Sequence, residues 1–401
     1  MKSKAKVISI VIFFSASIIL VSCEKQKAEW EGSIEYENGV KVVKNPEEPL
    51  YGELVFDLEE DLSIGKEDDE NYMFYRVRDI ALDSNDNIYV IDGGNCRIQK
   101  FNPDGQFLQT MGRKGQGPGE FERPRQLFID SQNNIYVEDR EQIKVHDSKG
   151  EFKKSIPING SVSEFAVDSE GNIFTNVRLL SREELKYQRM FTKVNPEGKV
   201  LKKFIEFSEP GFGLVKGEKG ILTLSFYLEY HPHLYFSRVN ENTLTYGVSS
   251  EYQLFVIDKD GNPRMSIQKE EIHQAISRKE KDKIMNGFEE SLARQGQKVP
   301  RKAIEDTCDF PALRSFFSKI MVDDKHRTFV RRVKSVLEEG EDAQFDIFNS
   351  EGRYIYRTVL PFTPEIIKNG FLYYIHASKE TGEVNIKRYK INNWGQIKEG
   401  T

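Results

Sequence analysis

Four stretches of the chain repeat one alternation of apolar and polar positions. They are Asp79-Ile-Ala-Leu-Asp-Ser-Asn-Asp-Asn-Ile-Tyr-Val, Gln126-Leu-Phe-Ile-Asp-Ser-Gln-Asn-Asn-Ile-Tyr-Val, Glu164-Phe-Ala-Val-Asp-Ser-Glu-Gly-Asn-Ile-Phe-Thr and Lys319-Ile-Met-Val-Asp-Asp-Lys-His-Arg-Thr-Phe-Val. Each reads as a short apolar strand, a polar turn opening with Asp, and a second strand of β-branched and aromatic residues. A third strand follows, as in Arg97-Ile-Gln-Lys-Phe, and then a Gly turn and a fourth strand, as in Gln106-Phe-Leu-Gln-Thr-Met. The Gly turns recur at Asp104-Gly105, Lys149-Gly150, Glu197-Gly198, Asp260-Gly261 and Glu351-Gly352, where a hairpin needs a positive φ.

Four antiparallel strands repeated at roughly 40 residues is the arithmetic of a β-propeller blade. A more divergent unit starts at Tyr235-Phe-Ser-Arg, and another runs from Ile366 through Phe371-Leu-Tyr-Tyr-Ile to Val384-Asn-Ile-Lys-Arg-Tyr. This last unit lacks a fourth strand of its own. The segment Leu54–Gly65 supplies one: Gly65 stands 18 residues before Asp83, as Gly112 stands 18 before Asp130, and Phe74, Arg76 and Arg78 match Phe121, Arg123 and Arg125 in step. The sequence thus predicts an all-β, six-bladed propeller over residues 50–394, closed by an N-terminal strand, because closure removes the edge of an open array.

Two segments break the period. Residues 208–232 read as an extra strand pair. Residues 269–310 carry apolar positions at Ile272, Ile276, Ile284, Phe288 and Leu292, the stripe of a helix, with a capping box at Ser277-Arg-Lys-Glu280 and a stop at Gly296. The helical insertion falls between blades four and five. Residues 395–401 read as a C-terminal tail.

The first 22 residues are Lys2, Lys4 and Lys6 followed by an apolar run, Ile8 to Leu20, too short for a membrane span. The segment ends Leu20-Val-Ser-Cys23, which resembles a bacterial lipobox. That resemblance implies cleavage before Cys23 and its acylation, palmitate included, with residues 23–49 as a polar tether; a plain signal peptide with an accidental cysteine is the alternative. Removing residues 1–22 takes three lysines and no acid, so a formal charge of −6 becomes −9. An acidic surface argues against a nucleic-acid partner, and the domain reads as monomeric. Cys96 and Cys308 show no metal spacing; buried free thiols and a long-range disulfide both fit.

The repeat and the stretch Gly112-Arg-Lys-Gly-Gln-Gly-Pro-Gly-Glu-Phe121 resemble the NHL-like repeats of bacterial six-bladed β-propeller lipoproteins common in Bacteroidota. The resemblance implies a cell-envelope protein anchored on the outer membrane, and it fixes the fold better than an activity.

Chemical motifs are sparse. Asp83-Ser-Asn85-Asp-Asn87 starts like a calcium loop but lacks the Gly and the twelfth-position acid, and reads as Asx-type turn capping. Gly112–Gly119 lacks the Lys-Ser/Thr and helix of a phosphate cradle and reads as a flexible inter-blade loop. His231-Pro-His233 has no evident third metal ligand, and neither Gly-x-Ser-x-Gly nor His-Glu-x-x-His occurs. No cofactor is expected.

One constellation stands out. Arg76 and Arg78 recur as Arg123 and Arg125 at the entry to the innermost strand, followed by Asp79, Gln126, Glu164 and Lys319 at one equivalent position around the ring. Paired guanidinium groups there suit a carboxylate or sulfate. Alternatively, the arginines bridge blades by pairing with Asp79, Glu120 or Glu122. The expected function is a lipid-anchored binding module for a glycan, peptide or protein at the channel mouth. A metal-dependent hydrolase or lyase of the lactonase or amidating-lyase type is the alternative, and it needs acids converging at the mouth.

Overall fold

A computed structural model describes residues 29–400 except 67, 182–185, 211, 218–219, 226–229 and 307–309. Cys23, the leader before it and Cys308 lie outside the described residues, while Cys96 is a buried free thiol. Six antiparallel sheets follow one another around a ring. Blade 1 comprises Val77–Leu82, Ile88–Asp92, Arg97–Phe101 and Phe107–Met111, from the axis outward, and blade 2 begins with Pro124–Ile129 and Ile135–Asp139. The innermost strands of blades 3 to 6 are Ser161–Val167, Leu234–Asn240, Phe317–Val322 and Ile366–Lys368.

The second strands of blades 1 and 2 are buried at every position, because they are covered on both faces by neighbouring blades. The cores lie between blades. Tyr89, Ile98 and Met111 of blade 1 pack with Phe121 of the inter-blade loop and with Leu127 and Ile135 of blade 2, and five equivalent clusters fill the other seams. Ile64, Tyr373 and Ile386 meet Ile80, Ile88 and Phe101 across the seam between blades 6 and 1, so the ring is complete.

The polar repeats are turn locks. Asp83 Oδ1 accepts from the backbone N–H of Asn85 (2.9 Å) and Asn87 (3.0 Å), and its Oδ2 accepts from Asn87 Nδ2 and the Tyr89 hydroxyl. Asp130, Asp168 and Asp323 repeat the backbone pair. The oxygens that a calcium loop would offer are thus spent on the turn.

Closure is made by Leu58–Ile64, antiparallel to Val384–Ile391 as the outermost strand of blade 6. Lys387–Glu60 (3.0 Å) and Arg388–Asp61 (2.8 Å) pair along it, and Arg388 also donates to Pro103 O of blade 1 (2.8 Å). The strand starts at Leu58 rather than Leu54, because Glu53–Leu54 pairs in parallel with the outer strand of blade 5, Tyr354–Leu360.

The tether expected over residues 23–49 is corrected for much of its length. Ser33–Glu37 and Val40–Asn45 form a hairpin, and the second strand adds in parallel to Pro263–Lys269 at the edge of blade 4. Val42 and Val43 are buried there. Asn45 donates to Gln268 O (3.0 Å) and Gly352 O (2.9 Å) and accepts from Tyr354 N (2.7 Å), bridging blades 4 and 5. The residues read as a C-terminal tail also dock: Ile397 is buried, and Asn349 donates to Glu399 O (2.6 Å).

The first irregular segment contains a strand pair, Phe212–Gly217 with Gly220–Ser225. In the second, the helix Arg278–Arg294 carries the expected capping box. Ile272 precedes it and is exposed, but Ile276 is buried, and Ile284, Phe288 and Leu292 pack as expected, joined by Met285 and by Ile304 of the following short helix. Glu280 anchors this insertion. Its Oε2 accepts from Ser277 N (2.8 Å), and its Oε1 accepts from the hydroxyls of Tyr230 and Ser335 (both 2.7 Å), with Arg314 at 3.0 Å. Burial alone would raise this carboxyl, but the donors outweigh it and bring it down to about 2.

A carboxyl held below its unfolded value stabilises the fold above the unfolded pKa, and that stability is lost as pH falls through the folded one. Glu280→Gln is therefore expected to cost about 3 kcal/mol at neutral pH, where it strands Arg314 and rearranges three donors. In urea titrations the gap between wild type and variant should shrink from pH 5 towards pH 2. A gap independent of pH over that window would exclude the charged hub.

Candidate functional site

All six innermost strands begin at the same mouth of the channel, so the loops entering them form one rim. Two buried aspartates shape that rim. Asp92 Oδ1 accepts from Tyr75 N (2.9 Å) and its Oδ2 pairs with Arg97 (3.0 Å). Asp139, in the matching place, accepts from Glu122 N and Arg123 N and pairs with the buried Lys144 (2.9 Å). Each aspartate thus fixes the loop that carries an arginine pair. Arg76 itself has a φ of +73°, an unusual conformation for a non-glycine residue.

The loop Gly112–Phe121 is tightly tied, contrary to the flexible loop expected. Gly115 N donates to Phe121 O (3.0 Å), Phe121 N donates to Arg113 O (2.8 Å), and Gly117 N donates to Glu120 (2.9 Å). A side chain at Gly112, where φ is +77°, would collide with the Phe121 ring.

The four arginines divide. Arg125 makes a two-pronged bond to Glu138 (2.9 and 2.6 Å), whose side chain is wholly buried. Glu138 stands opposite Gln126 in the ladder, and the matching place in blade 1, opposite Asp79, is Ile91. Arg78 therefore lacks the acid that its counterpart holds. The acids considered as bridges are engaged elsewhere: Glu120 pairs with Arg113 (2.8 Å), Glu122 with Arg140 (2.9 Å), and Asp79 accepts from backbone. Among the described residues, no carboxylate pairs with Arg76, Arg78 or Arg123. Burial, and then the charges of Arg76, Arg125 and Arg123, press the Arg78 guanidinium downward from its ordinary value, the mark of an uncompensated positive cluster. Since arginine keeps its proton, the cluster persists as positive potential at the rim.

Below the rim, the equivalent positions form a ring of hand-to-neighbour bonds. Asp79 of blade 1 accepts from Leu127 N of blade 2 (2.8 Å). Gln126 of blade 2 donates to Ser163 O of blade 3. Glu164 of blade 3 accepts from Phe236 N of blade 4 (3.3 Å). Lys319 of blade 5 donates to Pro364 O (2.9 Å) and pairs with Glu365 (2.7 Å) of blade 6. By this register the sixfold set includes Tyr235 and Glu365, which the sequence reading passed over because blades 4 and 6 lack the Asp-Ser signature. Burial raises Asp79 to about 7 and Glu164 to about 8; their backbone bonds oppose this, and both keep some contact with the channel.

The ring lines a channel cavity of about 850 Å³ that also takes in Arg78, Arg125 and Arg178. Arg76, Arg78, Arg123, Arg125 and Lys114, with the single acid Glu122, line a further hollow of about 310 Å³ at the seam of blades 1 and 2. The opposite mouth is latched turn to turn: Ser84 N donates to Asn133 Oδ1 (3.0 Å), Ser169 to Asn242 (2.7 Å), Asn369 N to Asp324 (2.7 Å), and Lys368 pairs with Asp86 (2.7 Å). The arginine rim and this turn-bonded mouth are therefore the two chemically different ends of the channel.

The three ring acids do not converge. Lys319 separates Glu164 from Glu365, and among the described residues no three His, Cys, Asp or Glu side chains could jointly hold a metal. His146 lies between Phe121 and Phe152, and burial lowers it to about 4; it is a core residue.

Comparison with known proteins agrees with this architecture. Residues 67–282, more than half of the chain, match the DUF5128 family, described as a 6-bladed beta-propeller. No curated protein matches the chain. Similar solved structures include a protein from Bacteroides fragilis described as exported (13% identity, 88% of this chain and 99% of that one, TM-score 0.51). A duf4221 family member from Bacteroides vulgatus is similar over 83% of this chain and 98% of that one (13% identity, TM-score 0.47). Virginiamycin B lyase from Staphylococcus aureus is similar over 83% of this chain and 99% of that one (10% identity, TM-score 0.41). At such identities the likeness concerns the fold alone. With the family match covering the ring's first blades and the arginine rim, the chain belongs to the DUF5128 family of 6-bladed beta-propellers.

Proposed function

We propose that the protein is a lipid-anchored cell-envelope binding module whose arginine rim takes an anionic ligand at the mouth of the channel. The observation that carries this reading is the unequal fate of two repeated arginines. Arg125 is neutralised by Glu138, whereas among the described residues Arg76, Arg78 and Arg123 pair with no carboxylate, the Glu122 beside them being held by Arg140, in a chain with a net charge of −6. Like charges gathered at a pre-formed hollow cost stability, and an oxyanion relieves that cost.

The hydrolase or lyase alternative gains less support. Its metal would need the ring acids together, and they are instead spread around the axis, each occupied by a neighbouring blade.

Two variants separate ligand binding from support. Arg78→Met is expected to weaken binding of citrate or inorganic sulfate about tenfold or more, since each charge-assisted contact contributes about 1.5–3 kcal/mol. Its melting temperature should stay at or slightly above wild type, since one like charge leaves the cluster. Arg125→Met should instead destabilise the fold by about 2 kcal/mol, discounted for the arginine's partial exposure, because it leaves Glu138 buried and unpaired. Calorimetric titration with thermal melting reads both; unchanged affinity in Arg78→Met would count against the rim as a ligand site.

The anchor rests on the Leu20-Val-Ser-Cys23 motif, and no helix among the described residues is long and apolar enough to cross a membrane. Cys23→Ala is expected to move the protein from the membrane fraction to the soluble one. Retention of that variant in membranes would contradict acylation at Cys23.

A further inference from the structure

We infer that the ligand is an acidic oligosaccharide, a hydroxyl-rich chain with carboxylate or sulfate groups on successive units. This rests on the anion-binding reading above and adds the ligand's class. The first observation is how the hollows adjoin. A third hollow, of about 560 Å³, lies at the seam of blades 2 and 3. Arg123 and Arg125 line both seam hollows, and Arg78 and Arg125 line both the channel and the seam of blades 1 and 2. These arginines therefore stand where adjoining hollows share a border. A single small anion fills one space; a chain with an acid on each unit meets an arginine at each border.

The second observation is what lies between the charges. Ser161, Ser163, Ser237 and Ser318 line the channel cavity beside Tyr235. Asp79 and Glu164, raised by burial, add groups that accept or exchange hydrogen bonds with hydroxyls. Such a lining suits many hydroxyls, which an acidic peptide does not offer. Tyr75, 67% exposed, lines the seam hollow beside Arg76 and presents an amphipathic ring to a sugar face. A nucleic acid would require a larger cationic footprint than an acidic chain carries.

The test is calorimetric titration of the purified full chain with galacturonic acid, its linear dimer and tetramer, neutral galactose oligomers, a heparin-derived tetrasaccharide, tetraglutamate and inorganic sulfate. Affinity is expected to rise more than about tenfold from acidic monomer to acidic tetramer, because later units bind at high effective concentration. The neutral oligomers should bind at least about tenfold more weakly, and the heparin arm distinguishes sulfate from carboxylate as the preferred acid. Arg123→Met, at an exposed position, should remove about tenfold from the tetramer and less from the monomer. Tetraglutamate binding as tightly as the acidic tetramer would overturn the glycan class in favour of a peptide. Affinity that does not grow with length would overturn the multi-unit ligand and leave a single-anion site. Failure of every oxyanion, sulfate included, would remove the anion-binding reading itself.

Discussion

Ring closure is the constraint on which the rest of this molecule depends. A blade of four strands cannot bury both faces alone, so the cores lie in the seams, and the last seam exists only if the chain's ends meet. Leu58–Ile64 makes that meeting, contributing Ile64 to the core between blades 6 and 1. A fully buried Ile is worth about 1.5–3 kcal/mol, and the backbone ladder and the Arg388–Asp61 pair add to it. The N-terminal segment does more than close. It laces the outer edges of blades 4, 5 and 6 in succession, leaving Asn45 as a buried four-way polar link between blades 4 and 5.

The mouth inherits its geometry from this frame. Buried Asp92 and Asp139 hold the loops that present the arginines, and the interblade bonds from Asp79, Gln126, Glu164 and Lys319 hold the innermost strands at fixed spacing. A rim of uncompensated guanidinium groups is tolerable because each support beneath it is tied to a neighbouring blade. One end of the channel carries turn-to-turn bonds between neighbouring blades and the other carries the uncompensated charge, so the two ends differ chemically.

Much of this was legible in the sequence because the repeat is periodic in side-chain chemistry. The Asp-x-x-x-Asn turns, the Gly at each outer hairpin and the matched step from Gly65 and Gly112 reported blade number and closure directly. The N-terminal hairpin was missed although Asn38-Gly39, a strong hairpin signal with φ values of 50° and 84°, stands between its strands. Its first strand is an exposed edge rich in Glu, so apolar alternation is weak there. The arginine pairs were found, but not their inequality, which turns on the difference between Ile91 and Glu138 in a strand one step outward. Tyr235 and Glu365 stayed hidden because register, not motif, makes them equivalent to Asp79.

Native-state hydrogen exchange on Leu58–Ile64 tests the closed ring most directly. If closure holds the fold together, the hydrogen-bonded amides of this strand should exchange only through global unfolding, with the same free energy as the buried amides of Ile88–Asp92 in blade 1. Exchange of Leu58–Ile64 through a local opening well below that free energy would show that the ring stands without its clasp, and would contradict the account.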